Sequence, residues 1–179
     1  DQGYTGDLPD VLARAAEPGW GHEHEHCEPR GPAPRQPAVL RRIAVPEVDQ
    51  IFTPAWSPDG ARIAFSGMKG GVTDVYTIEL TDGNVRALTS DVYSDLQPAW
   101  SPDGTEIAFT SDRFTSSAEQ LEFGRYTLGA IAWPSGNVTP LGSSGTGKSV
   151  NPQWCAHGEC VYFVSDDSGV SNVYRLDRE

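Results

Sequence analysis

Apolar and polar positions alternate along this chain in short runs rather than at helical spacing. Ile63-Ala64-Phe65-Ser66 returns as Ile107-Ala108-Phe109-Thr110 and again as Val161-Tyr162-Phe163-Val164. A period of two, carried by β-branched and aromatic residues, predicts half-buried strands. The same phrase precedes the first two runs: Pro54-Ala55-Trp56-Ser57-Pro58-Asp59-Gly60 recurs letter for letter as Pro98-Ala99-Trp100-Ser101-Pro102-Asp103-Gly104, 44 residues on. A worn third copy starts at Pro152-Gln153-Trp154. Pro presets φ near about −65°, Asp bonds its own backbone and Gly accepts positive φ, so Pro-Asp-Gly is a turn. Each copy therefore opens with a hairpin. Downstream, Asp74-Val75-Tyr76-Thr77-Ile78 is echoed by Asn172-Val173-Tyr174-Arg175-Leu176, and Asp82-Gly83-Asn84-Val85 by Ser135-Gly136-Asn137-Val138. These predict a third strand, a tight turn and a fourth strand.

Repeats of this length, each of four short antiparallel strands, are β-propeller blades. The sequence thus predicts an all-β fold of about three blades, a partial propeller over residues 39–179, with an irregular N-terminal arm over residues 1–38. The blades run over about residues 53–89, 97–141 and 151–179, and the third ends one strand short. Residues 39–44, Val-Leu-Arg-Arg-Ile-Ala, read as an orphan outer strand of some earlier blade. Propeller rings usually hold about four to eight blades. Three readings stay open: a fragment of a longer propeller, a half-ring docked on another protein, and a homodimer. In the last, residues 39–44 would complete the partner's third blade and two copies would close a six-bladed ring.

The W-S-P-D-G hairpin (Trp56 to Gly60, Trp100 to Gly104), the I-A-F strand, the Ser111-Asp112-Arg113 and Ser165-Asp166-Asp167 steps, and the D-V-Y or N-V-Y strand together resemble TolB-like propeller repeats. The resemblance covers about residues 39–179. It implies a bacterial cell-envelope or periplasmic setting and engagement of other envelope proteins, in association with a membrane complex. The leading functional expectation is a non-enzymatic binding or scaffold subunit, with the blades as platform and the arm as clip. The alternative is the non-catalytic propeller domain of a peptidase resembling the prolyl oligopeptidase or tricorn families, its hydrolase domain lying outside this chain.

Composition narrows the partners. A net charge of −12 among 179 residues argues against nucleic acid, whose phosphates need clustered Lys and Arg. It also disfavours anionic headgroups. No apolar run approaches the roughly 18 residues of a membrane span, so protein partners or a second copy remain. The chain begins with Asp1, which reads as a processed form or an excerpt from which any signal peptide has gone.

Several residues carry candidate chemistry. In the arm, residues 7–16 suit a short helix capped by Asp7, and Pro29, Pro32, Pro34 and Pro37 a stiff linker. His22, His24, His26 and Cys27 offer donors to zinc, copper or nickel, against the plainer reading of a solvated polar tract. Cys155 and Cys160 sit on opposite arms of the third hairpin, which predicts a disulfide in an oxidising compartment. A zinc site of Cys155, His157 and Cys160 lacks a fourth ligand nearby. Residues 142–149, Gly-Ser-Ser-Gly-Thr-Gly-Lys-Ser, match the phosphate-loop pattern, but the repeat makes the next segment a strand, and the mechanism needs a helix there. They are read as an inter-blade connector. No catalytic motif is recognised and no cofactor is expected. Partner contacts are expected where connectors enter the innermost strands, at Asp49, Gln50, Asp95, Gln97, Asn151 and Gln153. About nine extra residues within 113–126 of the second blade form a second candidate, since insertions on a rigid scaffold often carry function.

Overall fold

A computed structural model describes residues 41–143 and 145–178 of the chain. The expected helix over 7–16, the His22, His24, His26 and Cys27 cluster and the Pro-rich linker lie outside the described residues. Within them there are eleven strands and no helix. The first blade comprises β1 (Gln50–Trp56), β2 (Arg62–Lys69), β3 (Val72–Glu79) and β4 (Val85–Ala87), in that order and antiparallel. The second comprises β5 (Asp95–Trp100), β6 (Glu106–Ser111), β7 (Thr127–Ala132) and β8 (Val138–Gly142), in the same order. The third has β9 (Ser149–Trp154), β10 (Cys160–Ser165) and β11 (Asn172–Asp177), with β10 central and β11 at the edge. The all-β propeller blades read from the repeats are therefore present.

The turns form as their residues dictate. Ser57 Oγ donates to Asp59 Oδ1 at 2.5 Å and the Ala61 amide donates to the same oxygen at 3.0 Å, while Gly60 adopts φ +68°. The second copy repeats this: Ser101 Oγ to Asp103 Oδ1 at 2.6 Å, the Thr105 amide at 3.1 Å, Gly104 at φ +72°. The serine hydroxyl and the following amide hold both carboxyls below their usual pKa, because hydrogen bonds to the charged form favour it. The serine also receives the amide across the hairpin, Arg62 N to Ser57 Oγ at 2.9 Å and Glu106 N to Ser101 Oγ at 3.0 Å.

The third hairpin corrects an expectation. No bond joins Cys155 and Cys160, which are free thiols. Cys155 instead stands where the other blades have serine, and its Sγ receives the Cys160 amide at 2.8 Å. The sulfur does the hydroxyl's work in a turn that Gly158, at φ +85°, already closes. Cys155→Ser should therefore change stability by less than about 1 kcal/mol, and urea unfolding of the parent should be unaffected by dithiothreitol. A large shift in either measurement would restore the disulfide.

Alternation decides how the blades stack. Along β2 and β6, Ile63, Phe65, Ile107 and Phe109 point to one face and Ala64, Ser66, Ala108 and Thr110 to the other, as a pleated strand requires. The small face of the first blade, with Ala64 and Val75, packs against Trp100, Ile107, Phe109 and Ile131 of the second. Leu128 of the second blade meets Val161 and Phe163 of the third in the same way. Bulk thus seats against small side chains, the condition for dense packing. Polar clasps reinforce the joints: Trp133 lies between the Arg62 and Arg86 guanidiniums, 5.2 and 5.6 Å from its ring, and Arg178 pairs with Glu106.

The two ends depart from the pattern. Residues 41–45, which include most of the expected orphan strand, form no strand. Ile43, Val45 and Val48 pack on Phe65, Tyr76 and Ile78, the bulky face of the first blade. That face has no preceding blade among the described residues, and the apolar residues of the entering segment cover it. At the other end, Tyr162 and Val164 replace the Ala and Ser or Thr of the small face, and Tyr162 is 42% exposed. Neither end repeats the surface that joins the first two blades.

Candidate functional site

The innermost strands β1, β5 and β9 each carry one residue in the left-handed region: Thr53 at φ +46°, Gln97 at +55° and Asn151 at +56°. All three sit at a register shift against the neighbouring strand. A non-glycine residue there costs about 1–3 kcal/mol and persists where its surroundings hold it, and the second and third blades hold it by one device. The bulge turns the backbone amide toward the preceding blade, so the Gln97 amide donates to Ser66 Oγ at 2.9 Å. The Asn151 amide donates to Thr110 Oγ1 at 3.1 Å and to Gln97 Oε1 at 2.8 Å. Thr110 Oγ1 in turn donates to Gln97 Oε1 at 3.0 Å, and Thr53 Oγ1 lies 3.3 Å from Ser66 Oγ. A line of polar groups crosses all three blades: the Gln97 and Asn151 bulges are tied to the second strand of the blade before each, while Thr53 meets Ser66 within its own blade.

These bulges and the strand segments that follow them wall a cavity of about 660 Å³. Its lining includes Thr53, Trp56, Gln97, Asn151, Gln153 and Trp154. Trp100 is 8% exposed and meets Trp133 edge-on at 5.3 Å, whereas Trp56 is 64% exposed. Trp154 lies beneath the Arg178 guanidinium and donates its indole N–H to Ala99 O at 3.0 Å. Exposed indole, amide side chains and bared strand edges offer aromatic contact and hydrogen bonding to an extended protein segment.

Of the six residues expected to contact a partner, Gln97, Asn151 and Gln153 line this wall. Asp49 and Gln50 are exposed at the entry to β1, where Asp49 Oδ2 receives the Gly70 amide at 3.1 Å. Asp95 is fully buried, and Arg113 grips it through Nε and Nη2 while holding Asp91 at 3.0 Å. It is a structural ion pair at the blade joint. Asp74 completes the group, and carboxylate oxygens of Asp74, Asp91 and Asp95 lie within 4.8 Å of one another. Burial pushes the Asp74 and Asp95 pKa values up. Among the described residues the Arg113 guanidinium pairs with two of the three carboxylates, Asp91 and Asp95. Sequence reading missed Trp56 and Thr53 as wall residues, although the tryptophan heading each repeat was the available signal.

The phosphate-loop lookalike is a connector, and its amides are already taken. The Thr146 and Gly147 amides donate to Asp167 Oδ1 at 2.7 and 3.0 Å, and the Lys148 amide to Asp166 Oδ1 at 2.9 Å. Those amides hold the Asp167 carboxyl below its usual range. The protein's own carboxylates sit where a phosphate would, and strand β9 begins at Ser149. A helix terminus, which the phosphate mechanism needs, does not follow.

Blades of this order, stacked by alternating faces around bulged inner strands, define a segment of a β-propeller. Its repeats are TolB-like: residues 40–121 match the family described as TolB beta propeller domain. The Tol-Pal system protein TolB of Francisella tularensis subsp. tularensis, strain WY96-3418, is 42% identical over 52 residues, which is 29% of this chain and 11% of that protein. The crystal structure of TolB from Acinetobacter baumannii matches with a TM-score of 0.58 at 25% identity, over 70% of this chain and 29% of that one. A TolB-assigned structure from Agrobacterium tumefaciens gives a TM-score of 0.63 at 24% identity, covering 73% of this chain and 47% of that one. The last likeness speaks to the fold alone. The chain thus corresponds to about a tenth of the curated relative's length and under a third of the Acinetobacter chain's. No helix of the described residues is long and apolar enough to cross a membrane.

Proposed function

We propose that the chain is a non-enzymatic, protein-binding part of a bacterial cell-envelope assembly of the Tol-Pal type, and that the axial wall is its contact surface. The observation that carries this reading is the wall itself. Two of its three positive-φ residues, Gln97 and Asn151, are pinned across blades, and Trp56, Asn151 and Gln153 stand open to solvent. Strain held in place by a hydrogen-bonded relay is a preorganised surface, which lowers the entropy lost when a partner docks. The TolB-like repeats support an envelope setting and favour binding over the accessory domain of a peptidase. The negative charge of the chain suits a neutral or basic protein. A second copy completing a six-bladed ring would need Ile43 to leave the first blade, whose bulky face it covers.

The test is retention of envelope proteins from the source bacterium on the immobilised chain. Trp56→Ala combined with Gln153→Ala should remove the retained species while leaving the circular dichroism spectrum unchanged, because both residues are exposed. Loss of an aromatic that serves as a binding hot spot costs about 2 kcal/mol or more. Identical retention by parent and variant would overturn the axial wall as the contact surface.

A further inference from the structure

The loop between β6 and β7 spans residues 112–126, where the first blade makes do with Gly70 and Gly71. It is tightly built. The Thr115 and Ser116 amides donate to Asp112 O at 3.0 and 2.9 Å, and Ser117 and Glu122 exchange both backbone bonds at 2.9 and 3.0 Å. The Gly124 amide donates to Ser116 Oγ at 2.9 Å, and Ser116 Oγ to Asp112 Oδ2 at 3.1 Å. Asp112 Oδ1 receives the Ser94 amide of the preceding connector at 2.9 Å, which fixes loop to connector.

This framework displays apolar side chains. Leu121 is 81% exposed and Phe123 92% exposed, and Val92 of the connector is 69% exposed. Leu121 is held at φ +55°, a conformation that a branched residue adopts only under constraint. Val92, Tyr93, Ala118, Leu121 and Phe123 surround a cavity of about 230 Å³, which is below the roughly 300–1,000 Å³ of sites that enclose a drug-sized ligand. It suits one or two side chains of another protein. It shares no lining residue with the axial wall.

Charge identifies the occupant. Glu119 and Glu122 stand exposed on the loop, and neither has a cationic partner among the described residues. The two nearby arginines are engaged elsewhere, Arg113 with Asp91 and Asp95 and Arg125 with Gly145 O at 2.7 Å. The whole chain carries −12, which repels phosphate backbones and anionic headgroups alike. We propose that the 112–126 loop and the connector bearing Val92 and Tyr93 dock a protein segment that presents an aliphatic or aromatic side chain beside Lys or Arg. The apolar residue fills the cavity, and the cation meets Glu119 or Glu122. This surface does not depend on the axial wall.

Three fluorescein-labelled hexapeptides test it against the full chain by anisotropy: Lys-Lys-Leu-Phe-Lys-Lys, Glu-Glu-Leu-Phe-Glu-Glu and Lys-Lys-Ser-Ser-Lys-Lys. The first should bind at least about tenfold tighter than either control, a factor worth about 1.4 kcal/mol. Leu121→Ser with Phe123→Ser should abolish that preference over the Ser peptide. Glu119→Lys with Glu122→Lys should shift preference toward the Glu peptide. Both variants change only exposed side chains, and unchanged urea unfolding confirms that they fold. Equal binding of all three peptides, or binding undiminished in the Ser variant, overturns the proposal. So does self-association in sedimentation that the Ser variant removes, which assigns the patch to a second copy. Binding to phosphatidylglycerol vesicles that requires Phe123 overturns it in favour of a membrane surface.

Discussion

Arg113→Ala lowers unfolding stability by about 3–5 kcal/mol at neutral pH, the expected result of removing one partner of a buried ion pair. The side chain of Arg113 is 14% exposed and that of Asp95 0%. Without the guanidinium, three carboxylates face one another at the joint of the first two blades. Urea unfolding of Arg113→Ala, Asp95→Asn and the double variant measures the coupling, and Asp95→Asn should recover much of the loss. The pH dependence has a definite sign. Burial raises the folded pKa of Asp74 above the usual carboxylate range, and the Asp95 and Asp91 charges add to it. A raised carboxyl pKa means that the folded state favours the protonated form, so its penalty is full above the folded value and vanishes below the unfolded one. Asp74→Asn should therefore stabilise the protein at neutral pH, by an amount that fades on acidification through that window. The cost of Arg113→Ala should shrink over the same range. An Arg113→Ala variant within about 1 kcal/mol of the parent at pH 7 would show that the clasp is solvated.

Phe109→Ala should cost a similar amount, about 3–5 kcal/mol, through a cavity that its neighbours cannot close. Phe109 is 0% exposed and belongs to the core between the first two blades, with Ala64, Val75, Trp100, Ile107 and Ile131. The second blade also packs its phenylalanine differently. Phe65 stacks on Tyr76 at 5.6 Å and Phe163 on Tyr174 at 5.8 Å, but the residue opposite Phe109 is Gly129. Phe114, from the inserted loop, brings the missing ring: a Cβ on Gly129 would lie 2.7 Å from Phe109 and 2.9 Å from Phe114. Phe109→Ala should thus loosen both the blade joint and the base of the loop. Amide exchange should quicken in β6, β7 and residues 112–126 together. Faster exchange confined to β6, with the loop unchanged, would separate Phe114 from the core.

The inserted loop shows how far residue spacing can be read. Its length was legible because β6 and β7 could be aligned with β2 and β3, yet nothing in the spacing told that Phe114 turns back over Gly129 while Leu121 and Phe123 face solvent. The third hairpin failed for a related reason. Two cysteines across a turn look like a bridge in sequence, but the repeat had already assigned Cys155 the serine's role of accepting an amide. Asp95 failed differently. Its position at the head of an inner strand marked it for a partner, whereas Arg113, 18 residues later, folds back and buries it.

Alternation and turn chemistry by themselves determined the strands, their four-strand order, the Pro-Asp-Gly turns and the face of each strand that carries bulk. These depend on neighbours along the chain, so local residues suffice. Only the tertiary structure decided what happens between blades: the amide-to-hydroxyl relay from Thr53 to Asn151, the Arg113 clasp, and residues 41–48 lying on the first blade's bulky face. Each joins groups from separate repeats, and stacking fixes which group each one meets.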